Sequence, residues 1–303
     1  MAVSMSVNLC GITLKNPVIA ASGTFAFGRQ HSWFIDVNKL GGIALKSVTP
    51  EKRIGNAPPR IAETASGIIN SVGLQNPGID EFLEATIKEV NALDTVVIAN
   101  IAGSRIEDYV TVAERMNGAP VQLIELNISC PNVKLGGASL GTDPATAAEC
   151  VKAVKAVSHK PLTVKLTPAA GDIVSVAKAV QDAGADAVSL INTLPAMAVD
   201  VRTKRPVLGN VTGGLSGPAI MPVALKMVYD VSRAVRIPVI GMGGIMTGED
   251  AAAFMLCGAT TVMTGTANLL DPGASLRIID ELESYAQTAK INHISALTGA
   301  LEV

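Results

Sequence analysis

Eight short apolar runs alternate with helix-patterned segments along most of this chain, and that alternation restricts its fold more than any other feature. The runs are Pro17–Ala21, Ile43–Val48, Thr95–Ile101, Val121–Ile128, Leu162–Leu166, Ala187–Ile191, Pro238–Gly241 and Thr261–Thr264. Helical patterns fill most of the gaps. Asp172 is placed to cap a helix with apolar positions at Ile173, Val174, Val176, Ala177 and Val180, and Gly184 stops it. Glu81–Leu93, Ile106–Met116, Ala145–Val157, Pro218–Val235 and Glu249–Leu256 carry similar patterns. Strands that are apolar on both faces and alternate with helices form a parallel sheet under helical cover. Eight such units within about 250 residues predict a closed (β/α)8 TIM barrel, an α/β fold. All 303 residues are expected in one domain, with Val3–Lys15 as an N-terminal hairpin that plugs the end opposite the mouth. Hydrophobic residues make up 49% and aromatics only 3%, so the core must be built from Ala, Val, Ile and Leu, as layered strands and helices require.

Three connections are too long to be simple turns: Thr49–Ile79, Cys130–Pro144 and Asn192–Gly217, following the second, fourth and sixth runs. In a barrel of this kind those loops stand at the C-terminal mouth, where active sites are built. Several other functions are excluded. A net charge of −2 and the lack of any Lys/Arg run leave no footprint for nucleic acid. Cys10, Cys130, Cys150 and Cys257 are widely spaced with no C-x-x-C pair, so this chain alone offers neither a zinc site nor an iron–sulfur cluster. His31, His159 and His293 fall in helical or terminal segments and support no metal. The N-terminus lacks a basic region followed by a long apolar stretch, and so does not resemble a signal peptide. Ala251–Leu270 is free of charge but is broken by Gly258, Gly265 and Asn268, which predicts a buried helix, turn and strand rather than a membrane span. A cytoplasmic protein with reduced thiols is expected.

Gly241-Met242-Gly243-Gly244-Ile245 follows the seventh run and Gly265-Thr266-Ala267 the eighth. Glycines let backbone N–H groups approach a phosphate closely, and the loops after strands seven and eight form the recurrent phosphate site of these barrels. Gly213-Gly214-Leu215-Ser216-Gly217 is a third candidate set of donors. Tight turns would account for any one of these loops, but three at matching positions point to a phosphate-bearing ligand. At the other strand ends stand Lys46, Asn100, Asn127, Lys165 and Asn192. A lysine inside Leu162-Thr163-Val164-Lys165-Leu166 is expensive to bury unless it meets an anion or a strong acceptor. Two lysines and three asparagines suit a flat heterocycle rich in carbonyls and ring nitrogens, held over a phosphate anchor, as FMN would be. The fourth run ends in Asn127-Ile128-Ser129-Cys130-Pro131-Asn132, where Pro131 forces a turn just after the thiol. Cys130 is then either a small apolar residue at a strand end or a reactive group at the mouth.

These residues resemble the dihydroorotate dehydrogenase family nearly end to end. The resemblance is carried by Asn16-Pro-Val-Ile-Ala-Ala-Ser22-Gly-Thr24, Lys46-Ser47, Asn70-Ser71-Val72-Gly73-Leu74-Gln75-Asn76-Pro77, Asn127-Ile-Ser-Cys130-Pro-Asn132, Lys165, Asn192-Thr193 and the glycine loops. Cysteine at position 130 is similar to class 1 members, which are soluble and use a cysteine base; the membrane-associated class 2 uses serine. The chain also lacks the N-terminal membrane extension of class 2. Pro59-Arg60-Ile-Ala-Glu63-Thr64 followed by Gly73-Leu-Gln-Asn-Pro77 resembles class 1B, whose catalytic subunits pass electrons to NAD+ through a partner subunit.

The resemblance implies FMN-dependent oxidation of dihydroorotate to orotate in de novo pyrimidine (UMP) synthesis. It places the FMN phosphate on Gly217, Gly243, Gly244, Gly265 and Thr266. The flavin ring falls against Ser22, Lys46, Ser47, Asn100, Asn127, Lys165 and Ile191. Substrate falls to Lys46, Asn70, Ser71, Val72, Gly73, Leu74, Asn127, Asn132, Asn192 and Thr193. Cys130 takes a proton from C5 while C6 gives a hydride to flavin N5, and Lys165 supports the charge that develops on the ring. Val133–Gly141 is expected to close as a lid. The partner subunit is expected to carry FAD and a [2Fe–2S] cluster, because this chain has no Gly-x-Gly-x-x-Gly unit, and a homodimer core within a heterotetramer is implied. Four alternatives stay open: a fumarate-using class 1A enzyme, a flavin dihydropyrimidine dehydrogenase, a Schiff-base aldolase acting through Lys165, and a phosphosugar-binding barrel.

Overall fold

The structure is a computed structural model that describes residues 3–128 and 140–303. All eight predicted runs form strands: β1 (Val18–Ala20), β2 (Gly42–Ala44), β3 (Val96–Ile101), β4 (Leu123–Asn127), β5 (Leu162–Lys165), β6 (Ala187–Leu190), β7 (Val239–Met242) and β8 (Thr261–Thr264). Each pairs in parallel with the next, and β8 closes on β1 in a complete barrel. Nearly every residue of these strands is buried, because the lumen covers one face and the helices the other. Side chains that alternate along a strand point to opposite faces, so Asn100, Glu125, Asn127, Lys165 and Ser189 fall among the lumen positions of β3 to β6.

The helices follow the predicted segments closely. A helical stretch at 79–90, with a π turn over Phe82–Thr86, follows β2. Ile106–Met116, Pro144–Val157, Ile173–Asp182, Met221–Ser232 and Gly248–Leu256 follow β3 to β7. The Asp172 carboxylate accepts from Ser175 N at 3.0 Å, as a helix cap should, and Gly184 takes φ +103° just beyond the end. Between β1 and β2 only two 3-10 turns occur, His31–Trp33 and Val37–Lys39. Two helices, Thr266–Leu270 and Ala274–Thr288, complete the ring after β8. The charge-free 251–270 segment is thus the end of one helix, a turn, a strand and a short helix. Among the described residues no helix is long and apolar enough to cross a membrane.

The expected N-terminal hairpin is present, pairing Val7–Leu9 with Ile12–Leu14. Its two-residue turn needs positive φ at both positions, supplied by Cys10 (+53°) and Gly11 (+83°). Leu9 and Leu14 are fully buried, and Cys10 Sγ donates to the carbonyl of Asp186, immediately before β6, at 3.4 Å. The hairpin therefore covers the N-terminal end of the barrel, opposite the mouth.

Two features differ from the sequence reading. Strand β2 is shorter than Ile43–Val48, because Lys46 N turns away to Ala26 O before Val48 N rejoins the ladder at Asn100 O. More importantly, the loops after β2 and β6 are not separate. Ile61–Thr64, Gly67–Asn70, Thr212–Ser216 and Leu194–Met197 form one four-stranded antiparallel sheet over the mouth. Gly213 and Gly214, taken as phosphate donors, instead lie in an inner strand of that sheet and are consumed by its packing. An ideal Cβ on Gly214 would stand 1.9 Å from Thr193 Oγ1, and one on Gly213 would stand 2.5 Å from Asn70 O. Gly214→Ala should therefore push the 192–194 segment outward, with an overpacking cost of about 1–3 kcal/mol. Thermal unfolding is expected to show a correspondingly lower melting temperature for this variant.

Candidate active site

The C-terminal ends of the barrel strands and the mouth sheet enclose a cavity of about 670 Å3. It gathers residues that lie far apart in sequence. The β1 end supplies Ser22, the stretch after β2 supplies Lys46 and Ser47, β4 supplies Asn127 and β5 supplies Lys165. Ile191, Asn192 and Thr193 come from the end of β6, and the Asn70–Leu74 loop closes one side. Gly217, Gly243, Gly244, Gly265 and Thr266 line the far end. Every described residue predicted for the site lines this cavity except Asn100, which is fully buried one layer beneath the floor. Cys130, Asn132 and the 133–139 part of the expected lid lie outside the described residues.

The far end has the chemistry of an anion cradle. Gly243 and Gly244 have φ +129° and +83°, the left-handed region that favours glycine. A Cβ on either would collide with the helix Met221–Ser232, at 2.7 Å from Ala224 Cβ and 2.8 Å from Met221 Cβ. At Gly265 a Cβ would meet Thr24 Cγ2 at 3.7 Å and Ala21 Cβ at 3.8 Å, ordinary contacts. Among the described residues, the N–H groups of Gly243, Gly244, Gly265 and Thr266 meet no acceptor. Thr266 Oγ1 bonds Ser216 Oγ at 2.8 Å, fixing the hydroxyl at that end. Four directed donors without partners suit phosphate oxygens.

At the floor, Lys165 is 5% exposed. Among the described residues it makes one hydrogen bond, to Ser22 Oγ at 3.4 Å, and no ion pair. A buried cation with so little compensation is stable only if a ligand supplies negative charge or a strong acceptor. The residues present thus fit FMN: unpaired N–H donors for its phosphate, and cations and amides for its ring.

The Asn70–Leu74 loop is held from behind by residues that sequence reasoning left without a role. Asn56 Nδ2 donates to Ser71 O at 3.1 Å and to Ser71 Oγ at 2.9 Å. Arg60 Nε donates to Asn56 O at 2.5 Å, and its guanidinium also reaches Gln75 Oε1 at 2.6 Å. Asn76 Nδ2 donates to Leu74 O at 2.7 Å, while its Oδ1 accepts from Thr49 N and Gly78 N. Met263, Leu269 and Met197 also line the cavity without having been singled out. Their apolar side chains resemble core residues in sequence, so they carried no signal.

Cys10, Cys150 and Cys257 do not line the cavity. Burial pushes the Cys10 thiol up to about 11, with the Asp186 carboxylate adding to the effect, and pushes Cys150 up to about 12. Burial also raises Cys257. A raised pKa keeps the thiol protonated at neutral pH and therefore unreactive. Iodoacetamide at about pH 7.5 should leave Cys10 and Cys150 largely unmodified in the folded protein; peptide mass mapping would check this.

Fold and cavity together define an α/β-barrel enzyme with a cation-floored mouth and an anion cradle at its rim. Comparison with known proteins narrows this. A family model described as Dihydroorotate dehydrogenase matches residues 4–285. The dihydroorotate dehydrogenase B (NAD(+)) catalytic subunit of Alkaliphilus oremlandii is 54% identical over 298 residues, covering 98% of this chain and 99% of the relative. The protein of the same name from Geobacter sulfurreducens is 52% identical over 300 residues, covering 99% and 98%. A crystal structure of DHODH in complex with ferulenol from Eimeria tenella matches with a TM-score of 0.83 at 24% identity, covering 98% of this chain and 88% of that one, a likeness of fold. The chain belongs to the dihydroorotate dehydrogenase family.

Proposed function

We propose that this protein oxidises dihydroorotate to orotate in pyrimidine biosynthesis, as one FMN-binding unit. Electrons would pass to NAD+ through a partner subunit that carries FAD and a [2Fe–2S] cluster. The observation that carries this reading is the convergence on one cavity of Lys46, Lys165, Asn127, the Asn70–Leu74 loop, Asn192–Thr193 and the glycine cradle. The relatives over 50% identical, named as NAD(+)-type catalytic subunits, support the choice of acceptor.

The chain's residues divide the work. Lys46 offers a cation for the substrate carboxylate, and the amides of Asn70, Asn127, Asn132 and Asn192 suit its imide and ring oxygens. The held loop and the mouth sheet fix the pyrimidine plane and exclude water. Cys130 Sγ takes the proton from C5. FMN, when bound, supplies the acceptor for the hydride that leaves C6. Lys165 places positive charge at the floor, where negative charge develops as the substrate is oxidised.

The purified protein should carry a flavin absorbance and reduce a dye acceptor with dihydroorotate. NADH should form only when a cysteine-rich, iron- and FAD-containing subunit is added. Turnover with fumarate that matches the dye rate would place the protein with class 1A instead. Competition by uracil as strong as by orotate would point to a dihydropyrimidine dehydrogenase, because uracil lacks the carboxylate.

A further inference from the structure

Barrel interiors of this type are ordinarily filled by branched aliphatic side chains, yet this lumen holds a carboxylate. Among the described residues, Glu125 and Lys165 are the only buried charged side chains, and Glu125 has no exposed surface at all. Such a group is costly unless both its oxygens are satisfied. They are: Oε2 accepts from Asn100 Nδ2 at 2.5 Å, and Oε1 from Ser189 Oγ at 2.7 Å.

Both oxygens of Glu125 act as acceptors, and this has consequences one layer up. The carboxylate fixes the Asn100 amide with its nitrogen downward. The same nitrogen donates to Ser22 Oγ at 3.3 Å, so Asn100 Oδ1 is left as an acceptor, and it takes the Ser47 hydroxyl proton. Ser47 then has lone pairs to offer, and Asn127 Nδ2 donates to one of them at 3.4 Å. Ser22 Oγ accepts from both Asn100 Nδ2 and Lys165 Nζ, which occupies its two acceptor sites. Its own proton must therefore leave the network, and Ser22 lines the cavity.

We propose that Glu125 is a positioning residue that sets the polarity of the cavity floor. Through Asn100 it obliges Ser22 to donate into the cavity beside Lys165, confines Ser47 to an acceptor role, and orients the amide of Asn127. The ligand chemistry this favours is an edge of ring nitrogen and carbonyl acceptors. Glu125 touches neither ligand nor substrate and acts only through its neighbours. The inference rests on the reading that the cavity holds FMN.

The test is FMN titration of apoprotein, followed by fluorescence quenching and the visible absorption band, with melting temperature measured alongside. Glu125→Gln has nearly the same shape but can donate as well as accept, so it releases the Asn100 amide. It should raise the Kd for FMN about tenfold and shift the bound-flavin band, as should Ser22→Ala. Combining the two should add little, because both remove the same donor. The exchange Asn100→Asp with Glu125→Gln keeps one carboxylate–amide pair but reverses it, drawing the Ser22 proton down. It should hold the melting temperature and reproduce the band of Ser22→Ala. A purely structural Glu125 would lower the melting temperature and leave Kd and band at wild-type values. That result would overturn the proposal, as would a wild-type band in the exchange variant or fully additive effects. Wild-type protein that bound no FMN would defeat the underlying reading before any variant was compared.

Discussion

Replacing Cys130 with alanine should lower dihydroorotate turnover by about 10³-fold while leaving FMN bound, since a positioned base contributes about 10²–10⁴-fold. The C5 proton of a dihydropyrimidine is weakly acidic, and no other described side chain lining the cavity is a ready base. The candidates are Lys46 and Lys165, whose value to the site is their positive charge, and hydroxyls and amides of low basicity. Cys130→Ser separates the role from the volume. A free thiol near pKa 8.5 is only about 3% thiolate at pH 7, so wild-type kcat/KM should climb with pH until the thiol ionises. Serine is a far weaker acid, so its variant should retain a fraction of activity with the rising limb displaced to higher pH. Steady-state kinetics across pH, with flavin content measured on each sample, would check this. Near-wild-type turnover by Cys130→Ala would remove Cys130 from the mechanism.

Much of this architecture was legible in the sequence because barrel strands are short, apolar on both faces and separated by capped helices. Asp172 and Gly184 bound their helix as elementary capping rules require, and eight strands fall within the eight apolar runs or within a residue of them. Lys46, Asn127, Lys165 and Asn192 were legible for a related reason: polar side chains at the ends of apolar strands have few explanations besides a ligand, whereas Ser22, Ser47 and the Asn70–Leu74 loop were marked only by the family resemblance. The mouth sheet was not legible. Its four strands are short, and Gly67–Asn70 pairs with Thr212–Ser216 across more than 140 positions of sequence, leaving no local pattern. Gly213 and Gly214 misled for that reason, since a glycine needed for close strand packing looks the same as one needed to cradle a phosphate. Asn100 was placed at the correct strand end but one layer too high: its side chain braces Ser22 and Ser47 from below. Glu125 is legible in the sequence only as a break in the apolar run Val121–Ile128, an acid at lumen parity with Asn127.

Lys165→Met tests whether the buried cation serves chemistry or structure, and the two roles predict opposite stabilities. Methionine keeps the apolar stem and roughly the volume of lysine while removing the charge. Lys165 is nearly buried, and among the described residues a single hydroxyl at 3.4 Å compensates it. In the ligand-free protein its desolvation is therefore poorly offset, and a neutral side chain should leave the melting temperature unchanged or raise it. With FMN and substrate bound the balance inverts. Removing a fixed charge aimed at developing negative charge should cost about 10²–10³-fold in kcat, with a smaller change in KM. The reduction potential of the bound flavin should fall, because the reduced ring loses its cationic neighbour. A structural lysine would behave the other way, with a lower melting temperature and little change in kcat per folded molecule. The aldolase alternative is tested on the same residue: borohydride with a carbonyl substrate should trap no adduct on wild-type Lys165. A trapped adduct, or wild-type kcat in Lys165→Met, would show that this lysine is not the electrostatic support of flavin reduction.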